Sequence, residues 1–94
     1  MRFSWDERKN RTNRRKHRVS FETAALVFED PCHISHPGRE VEGELRWQTI
    51  GMAGGLHVLL VIHTISESGD EEETIRIISA RKATPQERRI YAQG

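Results

Sequence analysis

Phe3 and Trp5 alternate with Arg2 and Ser4, the two-residue period of a short strand at the start of the chain. Asp6 then offers an N-cap, and Glu7 a negative charge near the positive end of a helix dipole, which predicts a helix to about Lys16. That helix carries almost no apolar residues, so burial is not its whole support. Ser20 opens a second helix, in which Phe21, Ala24, Ala25 and Phe28 recur at the i, i+3, i+4, i+7 spacing of a core-facing stripe. Asp30-Pro31 stops it, because the residue before proline is pushed out of the α region.

Cys32 to Glu44 is polar with a Pro37-Gly38 turn signal, and is expected to form a short strand followed by a loop. Leu45 to Met52 and Leu56 to Ile65 are β-type runs around Ala53-Gly54-Gly55, a hairpin. The second run is apolar on both faces from Leu59 to Ile62, which places it centrally in a sheet. An acidic turn, Ser66 to Glu73, leads to a strand from Thr74 to Ala80. Thr84-Pro85-Gln86-Glu87 supplies an N-cap, a proline at the first helical position and a capping-box glutamate, opening a helix to about Gln93. The order β-α-α-β-β-β-β-α predicts an α+β domain on an antiparallel sheet, with two N-terminal helices and one C-terminal helix.

Ninety-four residues make one domain, 1–94, with no internal repeat or linker. The longest apolar run, Val58 to Ile62, is strand-sized, so no membrane helix is expected. The basic, polar start is unlike a secretory signal, and the single cysteine fits a reducing compartment; both point to cytoplasm. The net charge of +1 conceals a strong segregation. Residues 1–18 hold eight Lys/Arg against Asp6 and Glu7, while residues 67–75 are purely acidic and residues 76–94 are basic again. If the fold joins the two basic ends, they form a cationic face suited to phosphate.

Cys32, His33 and His36 fall within five residues, but a structural zinc site needs four ligands and no second pair exists, so no metal is assigned. No phosphate-cradling glycine loop or nucleophile elbow is present, and Gly51, Gly54 and Gly55 read as turn glycines. Asn10, Asn13 and His17 share a helix face, able either to cap neighbouring backbone groups or to meet a substrate. His57 and His63 share a strand face, and His63 is expected in or beside the core with its nitrogens satisfied. Arg46 and Arg76 interrupt strands with apolar neighbours, and Glu44 lies two residues from Arg46 on the same face. Together with Arg81 they admit two readings: a surface ion pair, or a general base beside anion-stabilising guanidiniums. Trp47 fits either the core or a stacking platform for a base.

Several blocks of the chain together resemble one known family. Phe3-Ser4-Trp5-Asp6-Glu7, Lys9-Asn10, Asn13 and Lys16-His17 before Val19-Ser20-Phe21-Glu22 form the first. Glu44-Leu45-Arg46-Trp47 with Thr49-Ile50-Gly51, then His63-Thr64, follow. Ile75 through Thr84, Glu87-Arg88-Arg89 and Tyr91 complete the pattern, which resembles the BrnT family over nearly the whole chain. Two positions depart from it: Arg18 stands where glycine usually follows Lys-His, and Met52 where arginine or leucine is common.

The resemblance implies a RelE-like ribonuclease, the toxin of a type II toxin–antitoxin pair, that cuts RNA and inhibits translation. It also implies a BrnA-type ribbon–helix–helix antitoxin as partner, in a two-plus-two heterotetramer that meets DNA only through the antitoxin. On this reading no cofactor or metal is needed: a ribose 2′-hydroxyl attacks the adjacent phosphorus while Arg46, Arg76 and Arg81 hold the phosphate. Glu44 is the first candidate base and His17 the alternative, with Tyr91 or Lys16 as donor or positioner. Lys16, Trp47, Lys82 and Tyr91 are the expected RNA contacts. A non-catalytic module that grips RNA or an acidic partner is the alternative, and only the nuclease predicts cleaved products.

Overall fold

The computed structural model describes residues 1–94. Strand β1 (Arg2–Ser4) leads into helix α1 (Glu7–His17), then α2 (Phe21–Ala25), which runs on as a tighter 3-10 turn at Leu26–Glu29. Four strands follow, β2 (Ile34–Val41), β3 (Glu44–Ala53), β4 (His57–Glu67) and β5 (Glu73–Lys82), before the closing helix α3 (Pro85–Gln93). This is the α+β architecture that the hydrophobic pattern predicts. No helix is long and apolar enough to cross a membrane.

The sheet order is β1-β5-β4-β3-β2, so the run apolar on both faces, β4, lies at the centre. Its four long strands pair antiparallel, as expected. The short β1 differs: it joins the β5 edge in parallel, Phe3 beside Ile75. The intervening helices carry the chain back to the sheet, the crossover that a parallel pair requires.

One sheet face carries the core. Val61, Leu59, Ile75, Ile77 and Ala80 pack there with Phe21, Ala24 and Val27 from α2 and its 3-10 extension. Phe21 and Ala24 of the predicted stripe are buried, but Ala25 and Phe28 are only partly so. Val27 takes the next core position, because the helix tightens into a 3-10 turn at Leu26 and shifts the facing residue. Gly51 corrects its turn assignment: it lies inside β3, where an added Cβ would come within 2.7 Å of the Val27 side chain. Its missing side chain lets the 3-10 turn lie close against the strand.

All three helix starts bear out their caps. Asp6 accepts from the Arg8 and Lys9 amides, Ser20 from Thr23, and Thr84 and Glu87 form the complete capping box. The C-terminal end of α1 explains the unusual Arg18: it sits at φ 61° and ψ 26°, the left-handed conformation that glycine adopts freely.

The polar helix α1 is held by its asparagines. Asn13 Nδ2 donates to the carbonyls of Val19 and Ala80, each at 2.8 Å, and Asn13 Oδ1 accepts from the Ala80 amide at 3.2 Å. Asn10 accepts from the Phe21 amide and donates to Glu7 and Glu22. β1 pairs only with Thr74 to Arg76, so Asn13 takes over the β5 edge where the neighbouring strand has ended. The capping reading of this stripe is the observed one for Asn10 and Asn13.

The segment read as a short strand and loop is instead an eight-residue edge strand, β2, with a bulge between Pro37 and Glu40. Glu42 and Gly43, at φ 52° and 79°, make a tight turn directly into β3. The proline is tolerated because edge strands need not donate on their outer side.

His63 is fully buried in β4 with both nitrogens satisfied. Thr49 Oγ1 is 2.6 Å from Nε2, the Thr64 carbonyl is 3.3 Å from Nδ1, and Phe28 meets the ring edge-on at 4.9 Å. Burial pushes its pKa below the ordinary 6.5, with the Thr64 carbonyl opposing. The unfolded chain therefore binds the proton first: this contribution is fully present above pH 6.5 and is lost as pH falls below it. Chemical denaturation between about pH 7 and 5 should show falling stability, and His63→Gln should flatten that slope. The lowered carboxylates of Asp30 and Glu87 act in a separate, more acidic window.

Candidate active site

The sheet face away from α1 and α2 is only partly covered. Strand parity puts Glu44, Arg46, Gln48 and Ile50 of β3 there, with Leu60, Ile62 and Thr64 of β4 and Arg76, Ser79 and Arg81 of β5. Ile50 and Leu60 are buried at the end where α3 meets β3. Towards the other end the face opens.

Arg76 is registered with Thr64, and Arg46 lies one step beyond the Trp47–His63 pair, so the two arginines flank Thr64 across three strands. Two strand spacings set their backbones about 10 Å apart. Arg76 Nη2 donates to Glu44 Oε1 at 2.5 Å, and both side chains remain more than two-fifths exposed. An exposed pair of this kind adds only ~0–1 kcal/mol to stability, so an incoming anion can compete for Arg76.

Arg46 is more constrained. Its Nε atom is buried and has no hydrogen-bond partner. It borders a cleft of about 260 Å³ lined by Gly38, Arg39, Val41, Gln48 and Ile62. A buried donor without a partner costs ~1–3 kcal/mol, so this guanidinium is held at an energetic cost beside the cleft. Arg39 is a further cation of this cleft, one with no signal in the sequence pattern. Its polar Pro-Gly surroundings resemble a loop, and only the β2 pairing brings it beside Arg46.

Other expected residues are placed elsewhere. Arg81 lies on the open face, but Glu87 occupies its guanidinium with two bonds of 2.8 and 3.0 Å. That contact raises the Arg81 pKa and lowers that of Glu87. Arg81 therefore anchors α3 to β5 rather than lying free for phosphate. Tyr91 donates to Asp30 Oδ2 at 2.6 Å, and this bond pushes the phenol up to about 12. Asp30 also accepts from the Cys32 and Met52 amides, so the hydroxyl expected as a donor instead ties α3 to the loop before β2 and to β3.

Trp47 points to the helical face opposite Arg46, which excludes it from stacking a base held on the open face. Lys82 also faces the helices, in a hollow with Arg18, Val19 and Thr23. His17 and Lys16 line a groove of about 310 Å³ between α1 and the β5 edge, together with Arg8, Lys9, Ile78 and Ser79. Ser79 belongs to the same sheet face as Arg76, so this basic groove borders the open face. Met52, the second departure from the pattern, lines a different hollow beside Leu26 and Glu29. The two basic ends of the chain do converge, with β1 and α1 both lying along β5.

The arrangement offers one carboxylate paired with Arg76, a second guanidinium, Arg46, on the same sheet face, and a flanking basic groove. That is equipment for holding a phosphodiester and moving a proton near it. No curated protein matches the chain. The 1.1 Å crystal structure of the Brucella abortus ribonuclease toxin BrnT is similar over 89% of this chain and 97% of that one, with 32% identity and a TM-score of 0.61. The family model described as the ribonuclease toxin BrnT of type II toxin–antitoxin systems matches residues 5–87. With fold, motifs and matched length in agreement, the chain belongs to the BrnT family of ribonuclease toxins.

Proposed function

We propose that this chain is an endoribonuclease toxin that cleaves single-stranded RNA without a metal ion, at the open face around Glu44, Arg46 and Arg76. The observation that carries the reading is the Glu44–Arg76 contact on the same face as the unpartnered, buried Nε of Arg46. Arg46 and Arg76 grip the scissile phosphate, and their fixed charges offset the negative charge that grows on its oxygens. Phosphate binding draws Arg76 from Glu44, leaving the carboxylate free to take the 2′-hydroxyl proton. The 2′-oxygen then bonds to phosphorus as the bond to the 5′-oxygen breaks. Lys16 or His17, from the adjoining groove, protonates that leaving oxygen. The products are a 2′,3′-cyclic phosphate and a free 5′-hydroxyl.

Membership of a toxin–antitoxin family supports an antitoxin partner. We assign that partner to the BrnA ribbon–helix–helix type, in a two-plus-two assembly within the cytoplasm. The test is cleavage of RNA by the purified protein with excess EDTA, read by the chemistry of the new ends. Cyclic phosphate and 5′-hydroxyl ends are expected. Cleavage that appears only when magnesium is added overturns the metal-free scheme, and RNA binding without cutting overturns the nuclease reading of this face.

A further inference from the structure

α1 carries arginines at positions 11, 14, 15 and 18, the i, i+3, i+4, i+7 spacing of one helix face. All four are exposed, and they ring a hollow of about 500 Å³ that contains no apolar side chain. None of them takes part in the ion pairs of the fold, which use the Met1 amino group, Arg2, Arg76 and Arg81. Like charges at this spacing repel one another along a helix. Arg18 adds a second penalty, because it holds a left-handed backbone at φ 61°. A strained position that supplies the fourth cation of a self-repelling stripe is best accounted for by an anion that binds there.

We propose that this arginine face of α1 binds the phosphate backbone of single-stranded RNA away from the point of cleavage. The proposal rests on the reading of RNA as substrate and adds a second site to it. A protein partner would call for an apolar centre with aromatic anchors, and this hollow has none. A phosphate chain needs only cations, and the planar guanidinium fork matches phosphate oxygens. Arg11 to Arg18 spans about 10 Å of helix, long enough to meet more than one phosphate. The face is also continuous with the site. Arg15 lies seven residues from Arg8, on the same side of α1, and Arg8 lines the groove that reaches Ser79 beside the open sheet face. RNA held on the outer arginines is thereby led over Arg8 towards Arg76.

Fluorescence anisotropy with a 2′-O-methyl RNA of about 20 nucleotides, spanning several site sizes, reads binding alone, because the attacking hydroxyl is blocked. Neutralising Arg11, Arg14 and Arg15 together with glutamine should lower the slope of log affinity against log salt by about 2. Arg18→Gly should lower that slope by about 0.7. The same Arg18→Gly change should raise the melting midpoint by about 4–8 °C as the backbone strain is removed. A folded triple variant with the parent's slope overturns the proposal. So does a triple variant that keeps RNA affinity but no longer forms a complex with co-expressed antitoxin, since the face then serves a protein. A parent that binds through these arginines yet cuts no RNA leaves this site standing and overturns the nuclease reading instead.

Discussion

Arg76→Ala should lower the rate of RNA cleavage by about 10²–10³-fold, the usual loss when one preorganised charge aimed at a transition state is removed. The effect is expected in kcat more than in KM, because the guanidinium is most useful when charge develops on the phosphate oxygens. Folding should change little, because the lost contact is an exposed ion pair with Glu44. Arg76→Lys keeps the charge but loses the fork, so it should fall between alanine and the parent. Glu44→Gln tests the other half of the pair and should lower the rate by about 10²–10⁴-fold if the carboxylate is the base. Steady-state cleavage of a defined RNA, with melting curves beside it, checks all three. An Arg76→Ala protein that cuts within a few-fold of the parent places the chemistry elsewhere.

The largest expected change in stability comes from Asn13→Ala. One amide group serves the Val19 carbonyl and both backbone groups of Ala80, all buried. Truncation leaves three buried polar groups without a partner, at ~1–3 kcal/mol each before relaxation or water entry. A loss of about 3–5 kcal/mol is expected, a large part of the ~5–15 kcal/mol that stabilises a typical domain. Asn13→Asp should be nearly as damaging, because a carboxylate can accept from the Ala80 amide but cannot donate to either carbonyl. Urea unfolding measures both. A loss under 1 kcal/mol for each variant would mean that α1 is held chiefly by other contacts.

Asn13 and Arg76 show two different ways in which sequence bears on this site. Asn13 is a polar residue inside a polar helix, and its position alone allows a capping role or a substrate role. The choice depends on where β1 stops, since only then does the Ala80 edge need a partner. Arg76 stands out earlier, because a long cation between Ile75 and Ile77 must emerge on the opposite face of a strand. Its pairing with Glu44, 32 residues away, is a consequence of β3 and β5 flanking β4. Arg39 was missed for the same reason: a β2 edge strand with a bulge looks, in sequence, like a polar loop with proline and glycine. Arg81 and Tyr91 carry the right groups for phosphate work, but Glu87 and Asp30 engage them in holding α3.

Local chemistry was thus enough to determine the element order, the three helix caps, the buried Phe21 and Ala24 of α2 and the central place of β4. Each depends on residues a few positions apart, where spacing and side-chain type act directly. The motif blocks likewise marked the family. Tertiary structure alone decided the parallel docking of β1, the long β2, and which cations remain free on the open face. Those outcomes depend on pairing across the sheet and on carboxylates distant in sequence that engage some arginines and leave others open. Arg18 sits between the two cases: its departure from glycine is visible in the sequence, but only the left-handed backbone at the end of α1 shows that the arginine is held there under strain.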